Sequence, residues 1–169
     1  MTNNIPLEIE HKYLIKMPNI EKLASVYKVK HAQIIQTYLN QSIANRRVRA
    51  KTVNEITTYY YTEKKDITAL IRTENEKIIT KKEYEKYLLQ ADKSLNQIIK
   101  DRYFFEYDGK IIEIDIYPFW NDFAVLEVEV QNEHEKINLP KEAEVVREVT
   151  DEKAFRNFSL AKNTDIICV

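Results

Sequence analysis

The chain has 169 residues, 44% of them hydrophobic and 31% charged, which fits one folded domain over residues 1–169 and excludes a disordered chain. A net charge of −1 gives no basic excess of the kind that points to nucleic acid, so a polyanion site here must come from local segregation of charge. Gly109 is the only glycine, which excludes a P-loop or a dinucleotide-binding turn and leaves phosphate binding to side chains.

In chain order the dominant pattern is period two, which predicts strands. The first covers Leu7 to Lys16. Asn19 caps a helix from Ile20 to about Lys28, with Leu23, Val26 and Tyr27 on one face. Strands follow at Ile34 to Leu39, Asn45 to Val53, Thr57 to Lys64 and Ala69 to Asn75. Thr80 and Glu83 form a capping box that opens a helix carrying the chain through Leu89 and Leu95. Three further strands are expected at Ile98 to Tyr107, Lys110 to Tyr117 and Ala124 to Gln131. Asp108-Gly109 predicts a tight hairpin between the first two of these. The stretch from Leu139-Pro140 to Val149 has no clear period. Thr150 or Asp151 opens a last helix with Ala154, Phe155, Phe158 and Leu160. The result is an α+β domain on a large antiparallel sheet.

Cys168 is the only cysteine, so no internal disulfide forms, and nothing near it lowers its pKa. No charged-then-apolar leader and no apolar run of membrane-spanning length is present, so the expected compartment is the cytoplasm, with no membrane partner. No two histidines have metal-ligand spacing, and His11 falls on the opposite strand face from its charged neighbours. The Tyr59-Tyr60-Tyr61 run is read as barrel packing.

Residues two apart on a strand share a face. Collecting charges at that spacing gives Glu8, Glu10 and Lys12; Arg47 and Arg49; Lys64; Arg72, Glu74 and Glu76; Lys100 and Arg102; Glu113 and Asp115; and Glu127 and Glu129, with apolar residues between. One such doublet is an ordinary wet face. Recurrence on strand after strand, with like charges together and acidic and basic doublets on different strands, is not, because like charges side by side repel. A closed barrel with these faces inward gathers carboxylates on one side and cations on another. Carboxylates so gathered fit a hard divalent cation such as Mg²⁺ or Mn²⁺, and the cations fit a dense anion. A metal-chelated polyphosphate satisfies both.

These residues resemble, in order, the charged positions of the CYTH domain, the fold of the triphosphate tunnel metalloenzymes. Glu8-Ile9-Glu10-His11-Lys12 is similar to that family's ExExK signature, Arg47-Val48-Arg49 to its paired arginines and Arg72-Thr73-Glu74-Asn75-Glu76 to its RxExE segment. Lys100-Asp101-Arg102 resembles its KxR strand. Glu113-Ile114-Asp115 and Glu127-Val128-Glu129 resemble its later acidic doublets. Gln36 to Leu39, Tyr61 to Lys64, and Glu148 to Asp151 with Arg156-Asn157 extend the likeness from Leu7 to Ala161. Tyr61-Thr62-Glu63-Lys64-Lys65 departs from the pattern: parity points Lys64 inward, and a bulge would substitute Lys65.

The resemblance implies an eight-stranded antiparallel closed β-barrel, a tunnel with helices packed outside. It implies that Glu8, Glu10, Glu127 and Glu129 hold a divalent ion, that Glu74 and Glu76 help place a second, and that Lys12, Arg47, Arg49, Lys64, Lys100 and Arg102 grip phosphoryl oxygens. Arg72, Glu113 and Asp115 are either site residues or supporting ion pairs. The expected activity is metal-dependent hydrolysis of a triphosphate, inorganic tripolyphosphate first, with Mg²⁺ or Mn²⁺. The alternatives are a class IV adenylate cyclase or thiamine triphosphatase on the same scaffold, or a non-catalytic module binding polyphosphate or nucleotide. Family habit implies a homodimer.

Overall fold

The computed structural model describes residues 7–40, 45–68 and 71–164, so Cys168 and the expected start of a strand at Ala69 lie outside the described residues. The described residues form nine strands: β1 (Leu7–Lys16), β2 (Lys30–Tyr38), β3 (Asn45–Val53), β4 (Ile56–Asp66), β5 (Ile71–Ile79), β6 (Ile98–Tyr107), β7 (Lys110–Ile116), β8 (Phe123–Glu129) and β9 (Val145–Glu148). They run in the order β5-β4-β3-β2-β6-β7-β8-β1-β9, and β5 also pairs with β1, which closes the first eight into an antiparallel barrel. The helices are α1 (Ile20–Val26), α2 (Lys81–Leu88) and α3 (Asn157–Lys162). No described helix is long and apolar enough to cross a membrane.

β1 is the seam. One edge pairs with β8 from Glu10↔Glu129 to Lys16↔Phe123. The other edge is shared, β5 taking Leu7–Ile9 and β9 taking Tyr13–Ile15. β9 thus covers backbone that the slanted end of β5 leaves unpaired, as closure of a tilted barrel requires. It lies in the stretch that showed no period, because four residues are too few to display one.

Two hairpin turns fix the register. Asp108 and Gly109 have φ of 49° and 71°, the two-residue turn expected there. Asn54 and Glu55, with φ of 48° and 66°, make a second such turn between β3 and β4. β2 starts earlier than expected, since Lys30–Gln33 already pair with Asp101–Phe104 of β6.

The helices cover the barrel's apolar outside and one end. α2 begins at the capping box, Glu83 N donating to Thr80 Oγ1 at 3.2 Å and Thr80 N to Glu83 Oε2 at 2.7 Å. Its rings pack on β4, Tyr84 on Tyr59 and Tyr87 on Tyr61, so those two tyrosines face outward while Tyr60 faces in. α2 ends at Leu88, and Leu95 packs instead in the plug described next. The last helix starts later than Thr150, because the Thr150 hydroxyl accepts from Lys12 N and contacts Glu148. A 3-10 turn, Lys153–Phe155, comes first, and extended Arg156 separates it from α3. Leu14, Tyr38, Ile98, Tyr117 and Val125 meet Phe155 and Leu160 of this segment and plug one end of the barrel. Each buried large side chain contributes about 1.5–3 kcal/mol.

Candidate functional site

The pairing places the charged positions on one face. Glu10 lies opposite Glu129, Lys12 opposite Glu127 and Glu8 opposite Arg72. Lys64 faces Glu74, and Arg102 faces Asp115. Above the apolar plug these side chains enclose a cavity of about 410 Å³, within the range of small-molecule sites. All the sequence-predicted residues line it except Asp115, which is fully buried beneath Lys100 and Arg102. Lys64 points in and Lys65 is exposed on the outside.

Carboxylates gather at one side. Glu8, Glu10 and Glu129 each offer an oxygen, all within 4.8 Å of one another. Glu129 has no ion-pair partner among the described residues. Burial, then the charges of Glu8 and Glu10, push its carboxyl up to about 7. Glu10 Oε1 is buried and lies 2.9 Å from Lys12 Nζ without the alignment of a hydrogen bond. Three converging acids, one of them short of a cation, are a donor set that fits a hard divalent ion.

Glu127 does not join that set. It is clamped between Lys12 and Arg102, whose Nη2 lies 2.7 Å from Glu127 Oε2. Burial opposes its ionised form, but Lys12 and Arg102 override burial and hold the carboxyl well below the usual range. Glu74 and Glu76 are also taken up by cations. Lys64 Nζ is 3.2 Å from Glu74, and Arg49 Nη2 lies 2.9 Å from both oxygens of Glu76.

The cations line the rest of the cavity and also flank the converging acids, Lys12 beside Glu10 and Lys64 beside Glu8. Arg102 spans Asp115 through Nε and Nη2 at 2.6 and 2.7 Å and also meets Glu113, so Glu113 and Asp115 fix its fork. Burial and the Arg102 charge lower the Lys100 ammonium to about 8, despite Asp115 beside it. Burial also opposes the Lys12 charge, but Glu10 and Glu127 more than compensate and its pKa rises. The Nε groups of Arg47, Arg49 and Arg72 are buried with no acceptor among the described residues. Buried donors left unpaired cost about 1–3 kcal/mol each, and a bound anion with many oxygens would satisfy them.

Several lining residues escaped the sequence reading. Lys51 continues the parity of Arg47 and Arg49 and could have been read from it. Arg156 and Asn157, which the resemblance placed in a closing segment without a site role, reach the cavity with Phe158 from outside the barrel, where no strand period marks them.

No protein-family model and no curated protein sequence matches this chain. Solved structures do. The inorganic triphosphatase NE1496 is 23% identical over 92% of this chain and 94% of that one, with a TM-score of 0.59. A candidate adenylate cyclase from Vibrio parahaemolyticus is 12% identical over 75% and 79%, with a TM-score of 0.53. HpAC1 from Hippeastrum, described as having a dominant triphosphatase activity, is 11% identical over 73% and 80%, with a TM-score of 0.50. This chain shares their fold.

Proposed function

We propose that the chain is a divalent-metal-dependent triphosphatase of the triphosphate tunnel metalloenzyme kind, with inorganic tripolyphosphate as its first candidate substrate and Mg²⁺ or Mn²⁺ as its ion. The observation that carries this reading is the lining of one cavity: three converging carboxylates, and buried guanidinium Nε groups of Arg47, Arg49 and Arg72 without acceptors among the described residues. The likeness in fold to NE1496 and to HpAC1 supports chemistry on a triphosphate.

Glu8, Glu10 and Glu129 would hold the ion, which when bound supplies charge neutralisation and Lewis-acid polarisation at the phosphoryl oxygens. Arg47, Arg49, Arg72 and Lys64 bind and orient the chain of phosphoryl groups. Lys12, Lys100 and Arg102, braced by Glu127, Glu113 and Asp115, present fixed positive charge where negative charge builds up during phosphoryl transfer. The work of the protein is positioning and electrostatics, which a rigid barrel wall performs well.

The test is a product assay on tripolyphosphate, thiamine triphosphate, ATP and pyrophosphate, with Mg²⁺ or Mn²⁺ varied. Phosphate release from tripolyphosphate that requires the ion is the expected result. Cyclic AMP with pyrophosphate from ATP would replace the reading by a cyclase. Tight binding without turnover would make the chain a binding module.

A further inference from the structure

Lys12 lies in a gap on one edge of β1. β5 takes Leu7–Ile9 and β9 takes Tyr13–Ile15, and the backbone of Lys12 falls between the two pairings. The chain leaving β9 stands in for a strand there. Val149 N donates to Lys12 O at 2.8 Å, and Lys12 N donates to the Thr150 hydroxyl at 3.0 Å. A hydroxyl has one proton to give, and Thr150 Oγ1 lies 2.7 Å from Glu148 Oε1. A carboxylate only accepts, so the Thr150 proton goes to Glu148 and a lone pair stays turned to Lys12 N. His11 Nδ1 meets the same Glu148 oxygen at 2.8 Å. Burial opposes the ionised form of Glu148, but the bonds from His11 and Thr150 outweigh it and lower its pKa. Glu148 thus remains an acceptor, and it keeps Thr150 one for Lys12.

The cation anchored in this way joins two groups of acids. Lys12 Nζ lies 2.9 Å from Glu10, which converges with Glu8 and Glu129, and it also meets Glu127, which Arg102 holds from the other side. Lys12, Glu10, Glu127 and Thr150 are all buried. The ammonium follows its own Cα, so a shift of the Lys12 backbone changes both contacts together. A misplacement of about 1 Å in a positioned group can cost about 100-fold in rate. We infer that Thr150, oriented by Glu148, is a positioning residue that fixes the Lys12 ammonium between Glu10 and Glu127. Thr150 does not line the cavity and acts only through Lys12. The inference rests on the triphosphatase reading for the part that Lys12 plays in turnover.

T150V keeps the shape of the side chain and removes the acceptor. With tripolyphosphate and Mn²⁺ it is expected to lower kcat about 10- to 100-fold while KM stays within about threefold. T150S, which restores the hydroxyl, recovers most of the rate. A double-mutant cycle separates positioning from mere support of the fold. In a K12A background, where no ammonium is left to place, T150V costs less than about twofold more. The ion-free protein gives a readout that needs no turnover: in NMR spectra the Lys12 Nζ resonance moves in T150V while that of Lys100 stays in place. E148A, at a partly exposed side chain, moves the Lys12 resonance by a smaller amount and carries the test if T150V does not fold. Independent losses in the cycle, a rate that falls only with the folded fraction, or an unmoved Lys12 resonance overturns the role of Thr150 and leaves the triphosphatase reading standing. If the wild-type protein does not turn over tripolyphosphate, that reading falls, and the Lys12 resonance alone decides whether Thr150 places the ammonium.

Discussion

Lys64 Nζ sits 2.7 and 2.6 Å from the two carboxylate oxygens of Glu8, so a cation suited to phosphate occupies an acid suited to metal. On the proposed function a metal ion and a triphosphate each require that pair to open, which would couple the two binding events. Removing the lysine should separate them. K64A is expected to tighten Mn²⁺ binding in the absence of triphosphate by about tenfold, since a competing charge-assisted contact is gone. The same variant should weaken tripolyphosphate by a similar factor. Calorimetric titrations of each ligand alone check both signs, and a K64A protein that weakens both would show that Lys64 does not compete for Glu8.

Arg47 and Arg102 should fail in different ways when truncated. Arg47 meets Glu74 at 3.6 Å and the buried Tyr38 hydroxyl, and its Nε has no acceptor among the described residues, so its truncation leaves one part-exposed carboxylate and one hydroxyl short of a partner rather than a buried charge cluster. R47A is expected to lower kcat by about 100- to 1000-fold while the melting temperature stays near the wild-type value. Arg102 holds Asp115, Glu113 and Glu127 together, two of them buried. R102A leaves those carboxylates without their common partner and should cost about 3–5 kcal/mol of stability as well as activity. Thermal melts beside phosphate-release rates distinguish the two.

Lys100 gives a pH dependence whose two arms have opposite signs. Its folded pKa is lowered to about 8 by burial and by Arg102, whereas in the unfolded chain it titrates near 10.4. The charged form is therefore penalised in the folded chain, so the contribution of this group to stability rises as pH increases from about 8 towards 10. Affinity for tripolyphosphate should fall over the same interval, because the ammonium that faces the anion loses its proton. Binding near pH 8 should take up a proton, visible as a dependence of the calorimetric heat on the buffer. K100M should flatten both trends; if it leaves the affinity profile unchanged, Lys100 does not face the anion.

The inward face was legible because strand parity is a local property. Glu8, Glu10 and Lys12 fall on one side of β1 whatever the rest of the chain does, and Asp108-Gly109 announces its own hairpin. What parity cannot supply is the stagger between strands. Glu127 and Glu129 look like equivalent members of one doublet, yet register sets the first opposite Lys12 and the second opposite Glu10, so one is locked among cations and the other converges with Glu8 and Glu10. β9 and the place of Arg156 at the cavity were hidden for another reason. Both act through tertiary contacts with β1 and β4, and neither carries a period of its own.

The β3–β4 turn offers a change that touches nothing in the cavity. Glu55 is exposed and held at φ 66°, in a chain whose only glycine is at the other tight hairpin. An L side chain in the left-handed region costs about 1–2 kcal/mol, and glycine relieves that cost while losing some unfolded-state entropy. E55G is therefore expected to stabilise the barrel by about 0.5–1 kcal/mol with unchanged activity. G109A is the mirror case. No atom lies within 4 Å of the added Cβ, so only the backbone strain at φ 71° acts, and a loss of about 1 kcal/mol is expected. Urea titrations of both variants test the pair. A destabilised E55G would mean that the Glu55 side chain holds the turn by a contact that outweighs its strain.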